Sequence, residues 1–135
     1  LNQNIGYFFN RKEKKTHGDQ GLLVGQLPLP KDSVVMVDDV ITDGLTKIES
    51  VAMIRELCGV KFSGVLVALD RMEKNSLGRD AIADFEQITG VPVWSIITIR
   101  EVCDYLKNRE IDGAVVLDED IFLKIEHYLE EHSVR

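Results

Sequence analysis

Cysteine, proline, positive charge and long apolar runs are all scarce in this sequence, and each scarcity closes off a class of protein. Only two cysteines, Cys58 and Cys103, occur in 135 residues. They stand apart, in segments that read as helices, without metal-ligand spacing or the density of a disulfide scaffold, so reduced core cysteines of a cytoplasmic protein are expected. Three prolines beside a hydrophobic fraction of 44% exclude a disordered or low-complexity chain. The longest apolar stretches, at 65–69 and 91–99, fall far short of the roughly 18 residues that a membrane helix needs, and no such span is expected. Sixteen Lys and Arg against 23 Asp and Glu leave a formal charge of −7. That surface repels a phosphate backbone, so nucleic acid is not an expected partner. The chain opens on Leu1 without a signal-peptide pattern, which suggests that it begins partway into a larger protein.

What is present reads as one α/β domain over residues 1–135. Short, apolar, β-branched runs at 22–24, 34–37, 65–69 and 93–99 predict buried strands, with a fifth candidate at 5–9. Helical periodicity follows at 46–58, where Ile48, Val51, Ala52, Ile54 and Leu57 form a wide apolar stripe ended by Gly59. A second helix is predicted from about 79 to 89, with Ile82, Phe85 and Ile88 inward and Gly90 as its stop. A third starts at Thr98, whose spacing to Glu101 is that of a capping box, and uses Val102, Cys103 and Leu106. The fourth, at 120–131, places Ile121, Ile125, Tyr128 and Leu129 on one face. Strand and helix alternate repeatedly after residue 33, which predicts a mainly parallel sheet with helices on both faces. Sites on such sheets lie at the carboxyl ends of the strands.

The most informative stretch is 34–46, an apolar strand, the acids Asp38 and Asp39, a short loop with Gly44, then a helix. Gly44 lets backbone approach a ligand, and amides at the helix start offer an anion site. Thr42 and Thr46 add hydroxyl donors, while two carboxylates beside the loop suit sugar hydroxyls or a water-mediated Mg²⁺. A ligand with both a phosphate and a diol would satisfy the whole segment. A helix-capping loop with no ligand is the bland alternative, weakened by the four apolar residues that precede the acids. A second stretch, 11–18, places Arg11, Lys12, Lys14 and Lys15 around the single acid Glu13, followed by His17 and Gly18. Concentrated positive charge in an acidic chain suits a diphosphate, and Gly18 and Gly21 suggest a mobile loop over 10–21. The third stretch ends a strand in Asp70-Arg71. Arg71 can present a planar fork to a planar anionic ligand, or simply pair with Asp70 or Glu73 on the surface.

These three stretches together resemble the type I phosphoribosyltransferases, and the pattern Arg-Lys-x-x-Lys-x-His-Gly at 11–18 with Leu-Asp-Arg at 69–71 resembles the orotate phosphoribosyltransferase family. The likeness continues through 93–98 and so covers nearly the whole chain. It implies a Rossmann-like core of which the N-terminal part lies outside this sequence. It also implies transfer of the phosphoribosyl group of phosphoribosyl diphosphate (PRPP) to orotate, giving orotidine 5′-monophosphate and diphosphate in pyrimidine synthesis. On that resemblance PRPP is held by Arg11, Lys12, Lys15, His17, Asp38, Asp39, Val40, Ile41, Thr42, Asp43, Gly44, Leu45 and Thr46. Thr42 and Arg71 contact orotate, and Lys15, His17, Asp38 and Asp39 are catalytic. Mg²⁺ arrives on the diphosphate, with no direct protein ligand, and a homodimer shares its active sites. Two positions depart from the pattern: Asp43 stands where many members have a small residue, and Leu45 where they have Thr, Ser or Gly. Both are expected to weaken phosphate binding without changing the ligand.

Two readings from other classes compete. A phosphoacceptor receiver module also has an acid pair at one strand end, another acid like Asp70 and a Thr like Thr98, but has no place for the 11–17 segment. A non-catalytic PRPP-binding regulator would share the 34–46 motif, yet has no need of Lys15 and His17.

Overall fold

The computed structural model describes residues 4–10 and 22–134. Strands β1 (Phe8–Asn10) and β2 (Leu23–Gly25) pair antiparallel as a small ribbon. They are separate from the main sheet, unlike the buried strands that the sequence predicts. Gly25 permits this ribbon: its φ is +118°, and a Cβ there would lie 2.5 Å from the Tyr7 carbonyl oxygen.

Next come β3 (Ser33–Val40), α1 (Leu45–Cys58), β4 (Lys61–Asp70), α2 (Ala81–Thr89), β5 (Val93–Thr98) and α3 (Ile99–Leu106). Strands β3, β4 and β5 form a parallel sheet in that order, as the alternation of strands and helices requires. Local chemistry sets the helix ends. Gly59 and Gly90, both left-handed, close α1 and α2, and Asp80 caps α2 by accepting from the Ile82 and Ala83 amides. Thr98 and Glu101 form the expected capping box on α3, so β5 stops at Thr98 and Ile99 belongs to the helix. A short hairpin, β6 (Glu110–Ile111) and β7 (Ala114–Val115), precedes α4 (Glu119–His132), which Asp118 caps. The Asp112-Gly113 turn joins the hairpin with both φ values positive, the geometry that favours those two residues.

The core lies between the sheet and the α1/α2 layer, where Ile41, Val51, Val65, Val67, Ala81, Phe85 and Val91 form one buried cluster. The buried stripe of α1 is narrower than its sequence predicts: Val51 and Ile54 are buried, but Ala52 and Leu57 are exposed. Ile88 is also exposed, because Gly90 turns the chain and Val91 takes the buried place. On the opposite sheet face Val35, Val37, Trp94 and Ile96 are at least half exposed. Among the described residues, no second helical layer covers them. None of the described helices is long and apolar enough to cross a membrane. Phe85 is fully buried beneath Gly44, whose Cβ position would lie 3.8 Å from the phenylalanine Cβ. Replacing it with alanine (Phe85→Ala) should cost about 3–5 kcal/mol of stability, read by chemical denaturation at constant m-value.

Candidate functional site

Parallel register gathers the site. Val40 pairs with Leu69 and Asp70 with Thr98, so β3, β4 and β5 end at one edge of the sheet. Strand β3 runs through the acid pair rather than ending before it, and successive side chains of a strand point to opposite faces. Asp38 shares the face of Met36, which packs on the core. There Lys47 of α1 reaches its Oδ2 at 2.7 Å, while the Asp39 amide donates to Oδ1 at 2.9 Å. Asp39 lies on the other face with Val35 and Val37, and its Oδ1 accepts the Val40 amide at 2.7 Å. Partial burial pushes the Asp38 carboxyl up, but the Lys47 hydrogen bond, the Asp39 amide and the lysine charge together outweigh it and hold it below the ordinary 3.8. Lys47 is a residue that the sequence reading missed. Its side chain is only 13% exposed, and its spacing of four and seven from the buried Val51 and Ile54 was the available signal.

After β3, Ile41 is buried in the core, so only its backbone can meet a ligand. Thr42, Leu45 and Thr46 are exposed and Gly44 is buried. Gly44 takes a φ of 73° at the start of α1 and supplies no side-chain cap. Asp80, Thr98 and Asp118 cap the other three described helices with side-chain oxygens. The first amides of α1 thus meet no capping side chain, which is the arrangement an incoming anion uses. Asp43 turns away from them: its Oδ1 accepts the Ser76 amide at 2.8 Å and its Oδ2 the Ser76 hydroxyl at 3.1 Å. The amide first, then the hydroxyl, hold this carboxyl below its ordinary value.

At the end of β4, Asp70 is buried and accepts the Met72 amide at 2.8 Å. Arg71 pairs with Glu73 at 2.6 Å, and Tyr128 donates to the same glutamate oxygen at 2.9 Å. Beside them opens an apolar cleft of about 320 Å³, lined by Leu69, Ile99, Ile121, Ile125 and Leu129 with Arg71, Lys124 and Tyr128 at its polar tips. Thr98 is engaged with Glu101, both as donor and as acceptor. Arg11, Lys12, Lys15 and His17 lie outside the described residues. The ribbon on either side of that segment is described: Asn10 pairs with Leu23, and its side-chain amide donates to Ser50 of α1 at 3.3 Å.

No protein-family model matches the chain. An orotate phosphoribosyltransferase of Clostridium botulinum is 34% identical over 131 residues, covering 97% of this chain and 58% of that protein. That of Marinobacter nauticus is 49% identical over 108 residues, covering 79% of this chain and 50% of its own. Among solved structures, the Francisella tularensis orotate phosphoribosyltransferase superposes with a TM-score of 0.72 at 26% identity, covering 98% of this chain and 58% of its own. The Mycobacterium tuberculosis enzyme in complex with 5-phospho-α-D-ribosyl 1-diphosphate shares the fold, with a TM-score of 0.58 at 20% identity over 76% of this chain and 52% of its own. Sheet order and the strand–loop–helix site thus define an α/β core of the type I phosphoribosyltransferase class. Within that class the chain is similar to the orotate phosphoribosyltransferases over nearly its whole length. It spans about 58% of the length of the first relatives it matches.

The Asp38–Lys47 pair sets a pH dependence. A carboxyl held below its unfolded value stabilises the fold above that value, and the contribution disappears as pH falls through the folded pKa. Lys47→Met should therefore be less stable than the parent near pH 6, with the gap narrowing toward about pH 3. Denaturation midpoints of the two proteins across that range provide the check. Asp38 is 45% exposed, so solvent keeps the gap modest.

Proposed function

We propose that the complete protein transfers the phosphoribosyl group of PRPP to N1 of orotate, releasing diphosphate, as a cytoplasmic enzyme of pyrimidine synthesis. The chain supplies one phosphoribosyltransferase core domain over 1–135, with the catalytic loop at 10–21 and the PRPP motif at 34–46. The observation that carries this reading is the pairing of an uncapped, glycine-led helix start with an acid pair on the neighbouring strand, beside the Arg71 end of β4. Similarity supports it, since a relative bearing that name matches 97% of the chain.

In this reading the α1 amides with Thr42 and Thr46 hold the 5′-phosphate, and Asp38 and Asp39, on opposite faces at the end of β3, hold the ribose hydroxyls. The C1–O bond to diphosphate breaks as the C1–N1 bond forms, through a transition state with positive charge on ribose. The carboxylates stabilise that charge, whereas Arg11, Lys12, Lys15 and His17 receive the negative charge on diphosphate. Arg71, with Thr42, orients the orotate carboxylate. Mg²⁺ brought on the substrate diphosphate would offset leaving-group charge. A homodimer with shared sites completes the proposal, the 10–21 loop serving the neighbouring subunit.

Replacing both acids, Asp38→Asn with Asp39→Asn, tests the assignment. Two charge-assisted hydrogen bonds at about 1.5–3 kcal/mol each imply at least a tenfold fall in kcat/KM for PRPP. Unchanged kinetics would sink it. Arg71→Ala should raise KM for orotate far more than for PRPP. An equal rise in both would make Arg71 a structural partner of Glu73 only.

A further inference from the structure

A carboxylate in a phosphate-binding loop opposes its ligand by simple electrostatics, so Asp43 needs an account. Both of its oxygens are turned to Ser76, 33 residues away, one to the amide and one to the hydroxyl. Ser76 sits on a braced turn. The Asn75 side-chain oxygen accepts the Leu77 and Arg79 amides, each at 3.0 Å, and its amide group donates to Asp84 of α2 at 2.7 Å. Gly78 closes the turn by donating to the Asn75 carbonyl at 2.9 Å. This turn continues the segment that leaves β4 through Arg71.

We propose that Asp43 is a positioning residue whose two bonds to Ser76 clamp the phosphate loop to the segment carrying Arg71, setting the two halves of the site before substrate arrives. The inference rests on the phosphoribosyltransferase reading and adds to it a role for an acid where many members of the family have a small residue. Preorganisation of this kind raises affinity by removing the ordering cost of the loop. The charge itself lowers affinity, so the two effects have opposite signs and can be separated.

The complete protein, as wild type, Asp43→Ala, Asp43→Asn and Ser76→Ala, is titrated by calorimetry with ribose 5-phosphate, and with orotate at saturating ribose 5-phosphate. Loss of the clamp should weaken ribose 5-phosphate binding by Asp43→Ala about tenfold, although a like charge has been removed. Asp43→Asn is isosteric and neutral, keeps acceptor and donor for Ser76, and should bind at least as tightly as wild type. Ser76→Ala retains the amide bond and should fall between wild type and Asp43→Ala. The gain in orotate affinity on saturation with ribose 5-phosphate should shrink in the same order. Asp43→Ala binding as tightly as wild type or tighter overturns the clamp, as does identical behaviour of the alanine and asparagine variants. Should Asp43→Ala fail to fold, Ser76→Ala decides alone, and wild-type affinity in it overturns the proposal. A wild-type protein that binds neither ribose 5-phosphate nor PRPP overturns the phosphoribosyltransferase reading instead.

Discussion

The seam between β3 and β4 is the constraint on which the rest of the site depends. Its parallel register fixes where each strand ends, so the acid pair, the Gly44 turn and Arg71 share one edge. The register is in turn specified by burial: Val65 and Val67 are fully enclosed beneath α1 and α2, and a slip of one residue would turn them to the open face. Phe85 links this packing to the chemistry, since it lies both in the core cluster and under the glycine that opens α1.

The two adjacent acids of the 34–46 segment sit in different environments. Lys47 is largely buried against a carboxylate that is half exposed. It anchors α1 to β3 and keeps Asp38 ionised, at the cost of occupying one of its oxygens. Asp39 faces the other side of the strand, so the two acids are not equivalent. One is set by Lys47, and the other accepts the Val40 amide. An acid pair on consecutive strand residues can be differentiated in this way because alternation gives each a different environment.

Local signals made most of the main sheet legible. β-branched runs located β3, β4 and β5, glycines located the ends of α1 and α2, and the Thr98–Glu101 spacing gave the start of α3. What escaped depended on distant partners. Among the described residues, β1 and β2 pair with each other and not with the main sheet, which a run of apolar residues does not reveal. The β6–β7 hairpin is two residues per strand, too short for periodicity, although Asp112-Gly113 was there to be read. Lys47 escaped because a lysine on an apolar stripe is ordinarily counted as solvent-facing. The partner of Asp43 lies in another loop, so its charge looked unopposed in the sequence.

Arg71 presents the opposite case, a residue read for binding that is found in an ion pair. Arg71 is 40% exposed and Glu73 only 16%, so the pair is half-buried, and among the described residues Glu73 is the carboxylate that Arg71 meets. Under the proposed reading, a planar carboxylate that takes both arms of the guanidinium would replace this one contact with the stronger bidentate geometry. Glu73 is not left without a partner when this happens, because Tyr128 still donates to it. The aromatic hydroxyl stands at the rim of the apolar cleft beside the strand end. The existing pair thus holds the arginine at the end of β4, where the proposed reading turns its fork to the substrate.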